Sequence, residues 1–249
     1  MYFGLVKNLF FILISICLCF VFGQCNDEDE QRYQQNLVIG FRHQIGPNPL
    51  TFQSQFFNLE NGDSFMPSKL IYHVNNFQLI AEDGSKHSFD NQYFMLNPQS
   101  GIVDVNLGTF PNKTFTSIQF DLGVRDSVIN SKGELNPLFI DPMYWQMNAG
   151  YINFKLEGNS PNSPNEAVIL HIGGYKKGQE TAQEIRLKFP EKIQGNRGPS
   201  KTKMLKINVD LAQLFSGSQS VPLRYFHKIH KPGDSAQIIA NNFQFMFNF

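Results

Sequence analysis

The stretch from Asn136 to Tyr151, Asn-Pro-Leu-Phe-Ile-Asp-Pro-Met-Tyr-Trp-Gln-Met-Asn-Ala-Gly-Tyr, concentrates the side chains best suited to chemistry. It holds the single tryptophan of the chain, Trp145, between Met143 and Met147. Thioether sulfurs are soft ligands, and beside an aromatic ring and an imidazole they would suit a copper ion. A packing role competes, because methionine and tryptophan also fill irregular gaps between strands. The residue types alone favour packing. Three histidines could add ligands: His43 and His171 end alternating segments, and His73 lies mid-segment in Tyr72-His73-Val74. Neutral imidazole is a common metal ligand. No two of these three share a local ligand spacing, so only the fold could assemble them. His227 and His230 sit beside Lys228 and Lys231 and read as a solvated basic loop.

Other chemistries lack their residues. No GxxxxGK(S/T), GxSxG, HExxH or CxxC occurs, which removes the familiar phosphate, nucleophile-elbow and zinc signatures. Carboxylates are scattered on polar faces without an acid/base couple in an apolar setting. Asp141 reads as a cap and Glu157 as a rim residue. No catalytic residue is assigned, and no enzymatic activity is expected. The 21 Lys and Arg balance the 21 Asp and Glu, so nothing points to nucleic acid.

The elements that must position these residues are β-strands. Alternating apolar and polar residues mark half-buried strands at Leu37–His43, Leu50–Phe56, Leu70–Ile80, Val103–Leu107 and Phe115–Val124. Further strands are expected at Tyr151–Glu157, Ala167–Ile172, Ile185–Phe189 and Met204–Val209, with an alternating aromatic strand over Phe243–Phe249. Glu82-Asp83-Gly84-Ser85 is a hairpin signal. The segments Tyr151–Glu157 and Ala167–Ile172 read as a hairpin joined by the loop Gly158–Glu166. Helical signals are few: one or two turns over Asp210–Phe215 stopped by Gly217, and a capped turn over Asp141–Tyr144. Many short strands with turns between them predict an all-β fold, an antiparallel β-sandwich or flattened barrel with long loops.

The N-terminus predicts export. Lys7 precedes an apolar run from Leu9 to Phe22, followed by Gly23, Gln24 and an acidic stretch. The run is shorter than the ~20 residues needed to span a bilayer, and fits a signal peptide cleaved before Gln24. Residues 1–23 are then the signal peptide, 24–36 a flexible leader and 37–249 one β-sandwich domain, with no membrane span once the signal is removed. Periplasm or cell surface is the expected location. Cys25 offers a lipid anchor as an alternative, although Gln24 is not the small residue a lipobox wants. Of three cysteines, Cys17 and Cys19 lie in the signal. The remaining Cys25 can form no intramolecular disulfide, and no thiolate cluster can hold a metal.

Taken together, these segments resemble the MbnP-like family of exported β-rich proteins, related to methanobactin-associated copper-binding proteins. The resemblance runs from about Leu37 to the C-terminus. It is carried by Phe41-x-His43-x-Ile45-Gly46, by Lys69–Ile80 with Asp83-Gly84, by Asp141–Gly158, by His171-Ile-Gly-Gly174 and by Ala236–Phe249. It implies a copper-binding or copper-trafficking protein of the cell envelope. In some members a tryptophan is oxidised to kynurenine by a partner di-haem enzyme and helps histidines bind copper. The matching positions are Trp145 and His171, with His43 a further candidate, and Met143 and Met147 completing the expected copper set. The alternative is a metal-free envelope binding module, a partner of other exported proteins, in which these residues serve packing.

Overall fold

A computed structural model describes residues 35–89, 92–125, 142–145, 150–196 and 201–249. The expected signal peptide, Cys25, Asp141 and Met147 lie outside these residues. The chain opens with strands β1 (Gln35–Ile45), β2 (Asn48–Pro49), β3 (Phe57–Asn58), β4 (Ser64–Ala81), β5 (Lys86–Ser88) and β6 (Tyr93–Leu96). Next come β7 (Asp104–Phe110), β8 (Thr114–Leu122), β9 (Tyr144–Trp145), β10 (Gly150–Asn159) and β11 (Ala167–Gly173). Strands β12 (Gln183–Gln194) and β13 (Thr202–Asp210) precede helix α1 (Ala212–Ser216), β14 (Lys228–Ile229), helix α2 (Asp234–Ala240) and β15 (Phe247–Asn248).

Two sheets face each other. The smaller is ordered β15-β13-β1-β2, with β7 also on β1; the larger runs β12-β8-β4-β10-β11-β14, with β3, β5, β6 and β9 attached at its margins. The all-β sandwich expected from the sequence is therefore present, as two separate sheets. Most pairings are antiparallel, but β1–β13 and β11–β14 are parallel. Period-2 alternation sends one side of each strand inward: Leu37, Ile39 and Phe41 of β1 face Leu70, Tyr72 and Val74 of β4 and Ile118, Phe120 and Leu122 of β8, all buried. Edge-on rings lock the middle, with Phe41 5.9 Å from Phe120 and Phe247 5.4 Å from Phe120. Such pairs add about 0.5–1.5 kcal/mol each beyond area burial.

Strand β4 positions the site. Its core-facing residues are Leu70, Tyr72 and Val74, at even numbers, and then Phe77, Leu79 and Ala81, at odd numbers. The switch occurs at Asn76, whose φ of +53° marks an extra residue in the ladder. Tyr72 pairs with both Phe154 of β10 and Leu96 of β6, while Val74 pairs with both Phe94 of β6 and Leu122 of β8. Strands β8 and β10 therefore lie on the same side of β4, end to end, opposite β6. Strand β8 ends and β10 begins at this break, and Trp145 of β9 pairs beside the start of β10.

Three expectations need correction. Leu50–Phe56 is a bent segment, not a strand: Gln53 has φ +52°, Ser54 bonds Thr51 through their hydroxyls, and Phe56 is 51% exposed. Local side-chain hydrogen bonds there replace a ladder. Phe243–Phe249 is a 3-10 turn over Phe243–Phe245 with only Phe247–Asn248 in a strand. The sequence reading also missed α2, although Ala236, Ile239 and Ala240 form its buried stripe at i, i+3, i+4 after Gly233. The first strand begins at Gln35, two residues before the expected Leu37. The β4–β5 hairpin over Asp83-Gly84, the β10–β11 hairpin and α1 form where expected.

Candidate functional site

The break between β8 and β10 is closed by buried amides. Asn75 donates from Nδ2 to the Gly123 carbonyl at 2.6 Å, and the Gly123 N–H donates to the His73 carbonyl at 2.9 Å. Asn153 Oδ1 accepts the Val124 N–H at 2.8 Å, and its Nδ2 donates to Thr181 Oγ1 at 2.9 Å. Gly123 has φ +97°, and a Cβ there would lie 2.6 Å from Asn153 Cγ, so only glycine fits this close approach. Beside the latch, Asp121 is 2% exposed and bidentate to Arg125 at 2.6 and 2.7 Å.

Aromatic rings cover this break on the outer face of the larger sheet. His73 is buried, edge-on to Tyr151 at 5.9 Å, and Tyr151 is edge-on to Tyr144 at 5.2 Å. Tyr93 packs against the same cluster; burial, helped by the Asp121 charge, raises its phenol pKa. Strand β9 is held by Trp145 opposite Gly150 and Tyr144 opposite Tyr151. Because neighbours in a strand point to opposite faces, Tyr144 and not Trp145 leans over Tyr151. Trp145 is half-buried and Met143 fully buried, with the Met143 carbonyl accepting the Ile152 N–H at 2.8 Å.

His43 faces the interior. It points from β1 across the sandwich, and its Nε2 meets the Tyr72 hydroxyl at 2.8 Å. Burial, reinforced by the Arg42 charge, lowers its pKa to about 4. The neutral ring shares this hydrogen bond with the Tyr72 hydroxyl in the direction its tautomer sets, and burial holds that phenol well above its ordinary pKa.

His171 faces outward. Its strand neighbours set two rows across the outer face: Lys69–Glu157–Ile169–Lys228, and Ile71–Lys155–His171 with His230 next in register. His171 Nε2 lies 2.8 Å from Glu157 Oε1, and Lys69 Nζ lies 3.9 Å from Glu157 Oε2. Burial would raise the Glu157 carboxyl, but the His171 hydrogen bond and the Lys69 charge bring it below its ordinary value. Burial, joined by the Lys155 and His230 charges, pulls the His171 imidazole below its ordinary value against the lift from Glu157. An ionised Glu157 can only accept, so His171 Nε2 carries the proton and Nδ1 keeps its lone pair.

Met147 lies outside the described residues, and the structure separates the other four residues expected to share a copper ion. His43 and His171 lie on opposite faces of the larger sheet. Trp145 pairs with Gly150 whereas His171 pairs with Lys155, so those rows are five positions apart along β10, about 16 Å. Met143 and Trp145 stay together on one strip of chain. Among the described residues no three His, Cys, Asp or Glu side chains converge as metal ligands.

The family model of MbnP matches residues 34–229, well over half the chain. The chain belongs to the MbnP family. Its match begins one residue before β1 and ends within β14, so it spans the break, the β9 strip and the His171 rows. Among solved structures, MbnP from Methylosinus trichosporium is similar at 17% identity and a TM-score of 0.47, over 75% of this chain and 79% of that chain. Comparison with curated protein sequences gives no match. No helix among the described residues is long and apolar enough to cross a membrane. Sequence reasoning weighed His73 only as one of three candidate histidines, without placing it, and passed over Tyr151. Their signal was the parity of β4: with Leu70, Tyr72 and Val74 inward, His73 must face the other side.

Proposed function

We propose that this MbnP-family chain is an exported copper-binding or copper-trafficking protein of the cell envelope, with no catalytic activity of its own. The observation that carries the reading is the His171–Glu157 pair. A metal-binding histidine commonly gives its second ring N–H to a carboxylate, which fixes the tautomer and aims the other nitrogen at the ion. Here that arrangement aims Nδ1. His43 does not fit as a co-ligand, since its Nε2 is taken by Tyr72 between the sheets. Trp145 and Met143 would form a separate copper-handling strip beside the break, where a di-haem partner enzyme could reach the half-buried indole. Met147 remains a candidate by sequence alone. Copper, when bound, would supply a soft centre for imidazole and thioether; the chain's part is to hold His171 in one tautomer.

Export rests on the Leu9–Phe22 run and on the MbnP family. Equilibrium dialysis of the purified protein against Cu(I) and Cu(II) tests the reading. Retention lost in His171→Ala and kept in His43→Gln supports it; no retention in the unmodified protein overturns it. A second reading, a metal-free envelope binding module, is favoured by the separation of the candidate ligands. The Lys155 charge, which opposes positive charge on His171, favours it too.

A further inference from the structure

The outer face around His171 has the makeup of a docking surface. Ile71 and Ile169 are half-buried at the centre of the two rows, while Lys69, Lys155 and Lys228 stand around them. Glu157 is the one carboxylate in these rows, and it is already engaged by His171 and Lys69. Lys155 and Lys228 have no ion pair among the described residues. The whole chain carries equal numbers of acidic and basic residues, so this is a local excess of positive charge. The turn entering β14, the edge strand of this sheet, carries Tyr225, 71% exposed, with the Arg224 guanidinium 5.3 Å from its ring centre. Exposed tyrosine and arginine are the side chains that most often anchor a protein interface, and apolar residues ringed by charge are its usual layout.

We infer that this four-strand face docks a partner protein that presents clustered carboxylates. A protein fits better than an anionic bilayer. A bilayer would meet Glu157 with its own negative charge, whereas a folded partner can set a donor against it. Moreover, among the described residues the helix packed against β11, α2, turns its apolar stripe into the core and not toward a membrane. Lysines at such a site steer the encounter and set its salt dependence. The inference does not depend on copper, because none of the docking residues is needed as a ligand.

The test uses a poly-glutamate peptide as probe, with the intact metal-free protein followed by amide NMR shifts. Shifts confined to β10, β11 and β14 are expected, fading as salt rises from 50 to 300 mM. The double variant Lys155→Glu/Lys228→Glu should bind about tenfold more weakly, from roughly 0.7 kcal/mol for each exposed charge. Lys206→Glu, on the other sheet, should bind as the unmodified protein does. Lys228→Glu alone, at an exposed position, guards against a folding defect and should weaken binding severalfold. Shifts centred elsewhere, unchanged affinity in the double variant, or tighter binding to phosphatidylglycerol vesicles than to the peptide would each overturn the proposal.

Discussion

Lowering the pH from 7 to 5 should cost this protein about 2 kcal/mol of folding stability through His43 alone. The folded imidazole has its pKa lowered from 6.5 to about 4, chiefly by burial and then by the Arg42 charge. The unfolded chain therefore takes up a proton near pH 6.5 that the folded chain refuses until about pH 4. This contribution is present above pH 6.5 and is lost as the pH falls toward 4. Integrated from pH 7 to 5, the two titrations differ by about 2 kcal/mol, and the full shift is worth about 3 kcal/mol below pH 4. The assay is urea unfolding at both pH values for the unmodified protein and for His43→Gln. Glutamine can hydrogen-bond the Tyr72 hydroxyl as donor or acceptor but does not titrate. Glu157, whose pKa is also lowered, loses its contribution equally in both proteins and cancels. The variant should lose about 2 kcal/mol less than the unmodified protein between the two pH values. Equal losses would refute the half-buried, neutral state of His43.

The latch at the break gives further tests. Gly123→Ala places a Cβ against Asn153 at a left-handed φ and should destabilise by at least ~1–3 kcal/mol in thermal unfolding. Asn153→Ala strips the acceptor from the Val124 N–H and the donor from Thr181, at a cost of about 2–3 kcal/mol. It should also speed hydrogen exchange at Val124 selectively. Met143→Ala empties a fully buried site and should cost about 2–4 kcal/mol. A near-zero change would mean that Met143 is not packed as described.

The strands were legible because half-buried strands alternate, and Leu70-Ile-Tyr-His-Val or Ile118-Gln-Phe-Asp-Leu can face a core in only one register. What escaped were features set by non-local contacts. Leu50–Phe56 has a strand's pattern, but its Ser and Thr bond each other and the chain bends. Phe243–Phe249 alternates aromatics, yet Phe243 is drawn into the core by a 3-10 turn while Phe247 packs on Phe41 and Phe120. The candidate ligands were legible as types but not as neighbours. Nothing local tells His43 to cross the sandwich to Tyr72 or His171 to face outward onto Glu157; pairing partners decide both. The end-to-end placement of β8 and β10 also depends on which residues of β4 they share. For that reason His73, Tyr151 and Asn153 gained their place only from the sheet.

The most direct measurement is the copper retained by the purified protein after dialysis, with His171→Ala and His43→Gln run alongside. A single retained ion in the unmodified protein and in His43→Gln, absent in His171→Ala, is the predicted result. No copper in the unmodified protein, or undiminished copper in His171→Ala, would contradict the role given to the His171–Glu157 pair.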